Sequence, residues 1–229
     1  METRQTSDLL MQCIRNIVHC DLLPIAFPGP SKFYHWQTND VEALWHTLTG
    51  RGEIGKLLIW TPDFDGAPRL FDGQNRLVSI TLSMLPPNPK GHILSSANET
   101  THRTWNPQFP LVLDCDTLSL GPASMERAVR FMSRDEAGMN GRVPVSCLVS
   151  PRAVNEAFRH MAAQHGESAG FAESLARVIA LSEWLNTTHI GVTHLRGGTP
   201  EQVLTAYREH TESWKNKPEA PCPSPLRIG

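Results

Sequence analysis

The stretch PRLFDGQNRLVSITLSML, residues 68–85, changes its hydrophobic rhythm halfway along. A short apolar run ends at Phe71. After an Asp-Gly pair, Leu77, Val78, Ile80, Leu82, Met84 and Leu85 recur at helical spacing until Pro86 and Pro87 stop the pattern. The spacing predicts a strand before Asp72 and a largely buried helix after it. Five residues make the corner: Asp72, Gly73, Gln74, Asn75 and Arg76. A helix N-terminus presents unpaired amides and the positive end of the peptide dipoles, so it stabilises an anion. Gly73 permits close backbone approach, and Arg76, one turn in, offers a planar, bidentate donor for phosphate. Asp72 repels phosphate unless it faces a sugar hydroxyl, a metal ion or a neighbouring arginine. Gln74 and Asn75 can hydrogen-bond to a base or sugar edge. The plain alternative has Asp72 capping the helix, Gly73 easing the turn and Arg76 lying in solvent.

Working outward, IGKLLIW (54–60) and APRLF (67–71) read as two strands joined by TPDFDG, whose Asp65-Gly66 pair is a hairpin signal. Asp63 and Asp65 fall short of a calcium loop, because Gln74 stands where an acidic residue is required. TNDVEALWHTLTGRG (38–52) reads as a helix with Asn39 and Glu42 as a capping box and Val41, Leu44, Trp45 and Leu48 as its apolar stripe. Residues 7–19 are expected to be helical after a Ser7 cap, residues 20–36 an irregular path with a strand fragment, and residues 88–107 a polar loop. FPLVLDCDTLSLGP (109–122) suggests a hairpin, and Ser124 to Arg134 a helix. Pro151 after Ser150 opens another helix that ends at Gly166, and Phe171, Leu175, Val178 and Ile179 define one running to about Asn186. THIGVTHL (188–195) reads as a strand. Thr199, Pro200 and Gln202 open a final helix through Tyr207 to about Trp214.

A chain of 229 residues with 40% hydrophobic content can bury a substantial core, and a formal charge of -2 gives no general attraction to nucleic acid or anionic lipid. Five widely spaced cysteines without a C-x-x-C pair argue against a disulfide framework or zinc knuckle and predict reduced thiols. The N-terminus has neither the basic start nor the apolar core of a signal peptide, and no run reaches membrane-spanning length, so a cytoplasmic location without membrane attachment is expected. His189 and His194 lie five apart in a strand and point to opposite faces. His102 with Asp114 or Asp116 offers donors for a divalent cation, without a spacing that demands one. Arg127, Arg130 and Arg134 would share one helix face, diluted by Glu126, Asp135 and Glu136 into a solvated surface rather than a DNA-contacting strip. No G-x-S-x-G elbow occurs.

FDGQNRLVSITL resembles the Asp-Gly-Gln-Gln-Arg-Leu signature of the N-terminal domain of GmrSD-type modification-dependent restriction proteins, a group of the ParB/sulfiredoxin-like superfamily. KFYHWQTNDVEALWHTL is similar to that family's Gln-Arg-Pro-Tyr-x-Trp segment and following helix, and GEIGKLLIW to its Leu-Gly-Ser-Ile strand. FPLVLDCD, RVPVSCLV and HIGVTHLRGGTPEQVLTAYREH resemble its later strands and last helix, so the likeness spans roughly residues 20 to 212. The resemblance implies an α+β fold. A ParB/sulfiredoxin-like core would cover about residues 20–125 and an adjoining helical lobe about 126–214, with a returning strand near 188–195. One domain would span residues 1–214, followed by a disordered, Pro-rich tail at 215–229. It further implies a nucleotide-binding component of a bacterial anti-phage or DNA-processing system, with NTP hydrolysis as the associated chemistry. Asp72 would hold Mg2+ or polarise water, Gln74 would orient it, and Arg76 would bind phosphate, with Gly73 and Asn75 completing the corner. Lys32, Tyr34 and Trp36 would contribute the nucleotide pocket wall. Lys32 stands where the family has arginine, Asn75 where it has a second glutamine, and Tyr207 to His210 where it reads Phe-x-x-Leu-Asn. These departures open a second reading, a degenerate, non-enzymatic subunit that binds DNA or a partner such as a separate nuclease. A third is a metal-dependent DNA nuclease.

Overall fold

The computed structural model describes residues 1–13, 23–24, 36–63, 66–84, 110–115, 117, 128–167 and 170–215. It shows a mixed α+β architecture with two sheets. The larger contains strands β1 (Glu2–Leu9), β2 (Leu23–Pro24), β3 (Lys56–Thr61), β4 (Arg69–Asp72) and β8 (His189–Arg196), in the order β1-β8-β3-β4-β2. The smaller places β5 (Leu111–Asp114) between β6 (Val129–Phe131) and β7 (Arg142–Pro144). Among the described residues the longer helical elements are α1 (Thr38–Thr49), α2 (Gln74–Met84), the one-turn α3 (Arg134–Ala137), α4 (Pro151–His165), α5 (Phe171–Thr187) and α6 (Pro200–Lys215), with a 3-10 helix at Val145–Val149 before α4.

The unbroken apolar run of β3 follows from its position in the larger sheet. Leu57 and Ile59 point into the main core with the stripe of α1, while Leu58 and Trp60 point to the opposite face, which α6 covers with Val203, Ala206 and Tyr207. A strand buried on both faces gains nothing from alternating polar residues. Its neighbours run in opposite senses, since β8 pairs with it in parallel from Lys56↔Gly191 to Thr61↔Arg196, and β4 pairs antiparallel with a register shift between Leu58 and Ile59. The β3–β4 hairpin expected around Asp65-Gly66 is thus present, with Gly66 at φ +61.

Polar side chains fasten the layers together. Trp45 Nε1 donates to Ser83 Oγ at 2.8 Å, joining α1 to α2 inside the core. The indole of Trp60 donates to the Gly197 carbonyl at 3.0 Å, fixing the turn after β8. From α1, Glu42 accepts the Phe131 amide at 2.7 Å and His46 Nε2 donates to the Val129 carbonyl at 3.1 Å. Both bonds satisfy backbone groups on β6, an edge strand whose unpaired polar groups would otherwise need water. Helices α4 and α5 meet through Phe158 and Phe171, whose rings are 5.4 Å apart at 73°.

Several local expectations are corrected. Residues 2–9 form a strand instead of the start of a helix, because all eight pair with β8; the helical segment begins at residue 10, and residues 14–22 lie outside the described set. The segment expected as a helix over Ser124 to Arg134 contains β6, since Val129 and Phe131 pair with Leu113 and Leu111; residues 124–127 are not among those described. Helix α1 starts earlier than Asn39 suggests: Gln37 is its N-cap, and Asp40 receives the Gln37 amide at 2.9 Å, which leaves Glu42 for β6. Pro151 does open α4, with Ser150 accepting from the Ala153 amide, and Thr199 and Gln202 exchange capping bonds at the start of α6. The polar loop 88–107 and the tail from 216 onward lie outside the described residues. None of the described helices is long and apolar enough to cross a membrane.

Candidate functional site

The corner between β4 and α2 is built as a reversal with one glycine in it. Gly73 has φ +92, a conformation that side chains with a Cβ rarely adopt, and its carbonyl accepts the Leu77 amide at 3.0 Å to start the helix. Asp72 Oδ1 accepts the Gly73 amide at 2.7 Å, so the carboxylate caps the turn itself. A Cβ on Gly73 would stand 2.3 Å from Leu57 Cδ2. The space made by the missing Cβ is therefore filled by hydrocarbon from β3, and the close approach that glycine permits here is internal.

Arg76 points inward, against the plain reading that leaves it in solvent. Its Nη1 donates to the Ile54 carbonyl at 2.7 Å and its Nη2 to the Lys56 carbonyl at 2.8 Å, with Asp72 Oδ2 at 3.4 Å from Nη2. The guanidinium thereby ties the first turn of α2 to the backbone entering β3. Between the two accepting residues lies Gly55, at φ +86, where a Cβ would come within 1.9 Å of Nη1. Burial lowers the Arg76 pKa, and the charges of Asp72 and then Tyr207 oppose that shift. A guanidinium has five N–H donors. Three are used here, so its Nε hydrogen and one Nη1 hydrogen have no partner among the described residues, and 19% of the side chain remains exposed.

Tyr207, from α6, closes the corner from the second face of the sheet. Its ring meets Phe71 edge to face at 5.6 Å, and its pKa is raised, first by burial and then by the Asp72 carboxylate. Tyr207 was absent from the expected site residues, because nothing local distinguishes it. The sequence places it within the segment expected to form the final helix and says no more.

The structure thus brings Asp72, Gly73, Gln74, Asn75 and Arg76 into one turn, and Tyr207 joins them. Gln74 and Asn75 are half-buried at the first two helical positions. Lys32 and Tyr34 lie outside the described residues. Trp36 lines an open cleft of about 320 Å3 with Asp40, Ala43, Leu44, Thr47, Glu53 and Ile54, none of them from the 72–76 turn. Ile54 links the two places, since it lines the cleft and its carbonyl accepts from Arg76.

The alternative constellations fare differently. Asp114 lies between two guanidiniums, Arg130 at 3.8 Å and Arg142 at 3.9 Å, and accepts the Thr117 amide at 3.0 Å. His102 and Asp116 are not among the described residues. Arg130 sits on a strand and Arg134 opens α3, so they do not share a helix face as expected, while Arg127 is outside the described set. Among the described residues no three His, Cys, Asp or Glu side chains gather as a metal site. Cys13, Cys115 and Cys147 are buried, and burial pushes the Cys147 thiol up to about 12. No protein-family model matches this chain, and no curated protein matches it significantly.

Proposed function

We propose that the chain is a nucleotide-binding component of a bacterial anti-phage or DNA-processing system, with the 72–76 corner receiving the phosphates. The observation that carries this reading is Arg76, a half-buried guanidinium held at the start of a helix with two donors unused. Held by two carbonyls, it cannot swing away, and the first-turn amides of α2 add the positive end of the helix beside it. Gln74 and Asn75 stand on the rim for a sugar or base edge. Mg2+ is usually held by one or two carboxylates together with substrate phosphates. The single carboxylate of Asp72 fits a metal that arrives with the nucleotide. A bound Mg2+ would neutralise phosphate charge, while the protein's own part is to hold Arg76 and Gln74 in place.

The second reading, a non-enzymatic subunit binding DNA or a partner through the same fold, is favoured by a different observation. Asp72 already engages both Gly73 and Arg76, and Leu57 fills the hollow at Gly73, so much of the corner's polarity and space is used internally. Equilibrium binding and turnover of each NTP with Mg2+ separate the two. Wild type is expected to bind. Gln74→Ala, which removes a side chain with no partner among the described residues, should weaken binding about ten-fold, the size of one hydrogen bond. Arg76→Lys should abolish binding while thermal unfolding checks that the chain still folds. Turnover supports an NTPase, and binding without turnover supports the second reading. Absence of binding to any NTP removes the nucleotide reading, and metal-dependent DNA cleavage without nucleotide would replace it with a nuclease.

A further inference from the structure

The cleft beside Trp36 has a charge of its own. Its described lining carries two carboxylates, Asp40 and Glu53, and no cation, over an apolar floor from Ala43, Leu44 and Ile54. The two acids are not equivalent. Asp40 is committed to the Gln37 amide at the start of α1, whereas Glu53 is exposed and makes no hydrogen bond or ion pair with any described residue. The volume of about 320 Å3 falls at the small end of ligand pockets, which run from about 300 to 1,000 Å3, and suits one side chain better than a nucleotide. Phosphate is disfavoured here, because it would be placed against two like charges.

We infer that this cleft is a docking site for a basic side chain, a lysine or arginine presented by a partner protein. The occupant's hydrocarbon stem would lie on Leu44 and Ile54, and its charge would meet the Glu53 carboxylate. Charge complementarity selects this occupant. A neutral apolar side chain would fill the floor but leave the carboxylates without benefit, and an acidic one would be repelled. The site is separate from the nucleotide corner, although Ile54 borders both.

The test titrates the full chain with the capped tripeptides acetyl-Leu-Lys-Leu-amide and acetyl-Leu-Arg-Leu-amide. The isosteric acetyl-Leu-norleucine-Leu-amide is the neutral control, and butylammonium the free cation. Binding is read from amide and indole NMR shifts of Trp36, Thr47 and Glu53. The basic peptides are expected to shift these residues saturably. Glu53→Gln should weaken them about three-fold, the scale of a partly exposed ion pair, with thermal stability unchanged. The loss should shrink in high salt. Equal binding of the norleucine peptide would overturn the proposal in favour of a merely apolar groove. Binding of butylammonium without either peptide would overturn it in favour of a small-amine site. No shifts with any ligand, or shifts unaffected by Glu53→Gln, would overturn it outright.

Discussion

Gly55 and Gly73 lie against the same guanidinium, one beside each terminal nitrogen of Arg76. Both have positive φ, and both would push a Cβ into occupied space, 1.9 Å from Nη1 at Gly55 and 2.3 Å from Leu57 Cδ2 at Gly73. Gly66 is the internal comparison: it also has positive φ, at +61, but a Cβ there meets nothing within 4 Å. Gly66→Ala should therefore cost only the backbone penalty, on the order of 1 kcal/mol. Gly55→Ala adds overpacking against a buried charged group and should cost about 1–3 kcal/mol more. Urea unfolding of the two variants measures the difference, and equal midpoints would show that Arg76 is not held where its hydrogen bonds place it. Gly73 was legible in the sequence as a residue required by its turn. What it makes room for was not, because Leu57 is sixteen positions away and reaches it only once β3 lies beside β4.

Helix α1 shows how an element acquires tasks its own sequence does not announce. Its apolar stripe of Val41, Leu44, Trp45 and Leu48 is readable from spacing, and all four are buried. Glu42, expected to cap the helix, instead holds the amide of Phe131, while His46 holds the carbonyl of Val129. The helix thus finishes the hydrogen bonding of an edge strand. Glu42→Ala should remove this bond to the Phe131 amide at a cost on the order of 1 kcal/mol. Hydrogen exchange at Phe131 should accelerate in the variant well before the amides of β3 do; uniform acceleration would mean that the bond serves no local purpose. The same reasoning explains the missed strand. Val129 and Phe131 sit among residues of good helical propensity, and only pairing with β5 selects the extended form.

At the scale of the whole molecule, β8 is an interior strand of the larger sheet, bonded to β1 on one side and to the central β3 on the other. The strand returning near residues 188–195 is present where it was expected, and it lies between the N-terminal strand and the hairpin. The N-terminal strand, the hairpin and the strand before the last helix form one sheet, and the main core draws on residues from Leu10 to Val192. A fragment covering residues 1–125 would lack the strand that β1 and β3 both pair with, so it should show no cooperative unfolding. Circular dichroism and urea titration check this, and a fragment that unfolds in a sharp transition would establish an independent core.

The sequence by itself determined the elements whose signals are local. The strand-turn-helix at 68–85, the hairpin before it, the capped starts of α4 and α6 and the apolar β8 all follow from hydrophobic period, turn residues and caps within a few positions. It also determined that Asp72 to Arg76 form one turn. Only the tertiary structure decided what that turn does with its groups: Arg76 bonded to Ile54 and Lys56, Leu57 packed into Gly73, and Tyr207 folded over Phe71 from more than a hundred residues away. Backbone carbonyls carry no residue-specific signal, and contacts between distant segments form only when the sheet is assembled. Side-chain chemistry was readable along the chain, but its partners were set by the fold.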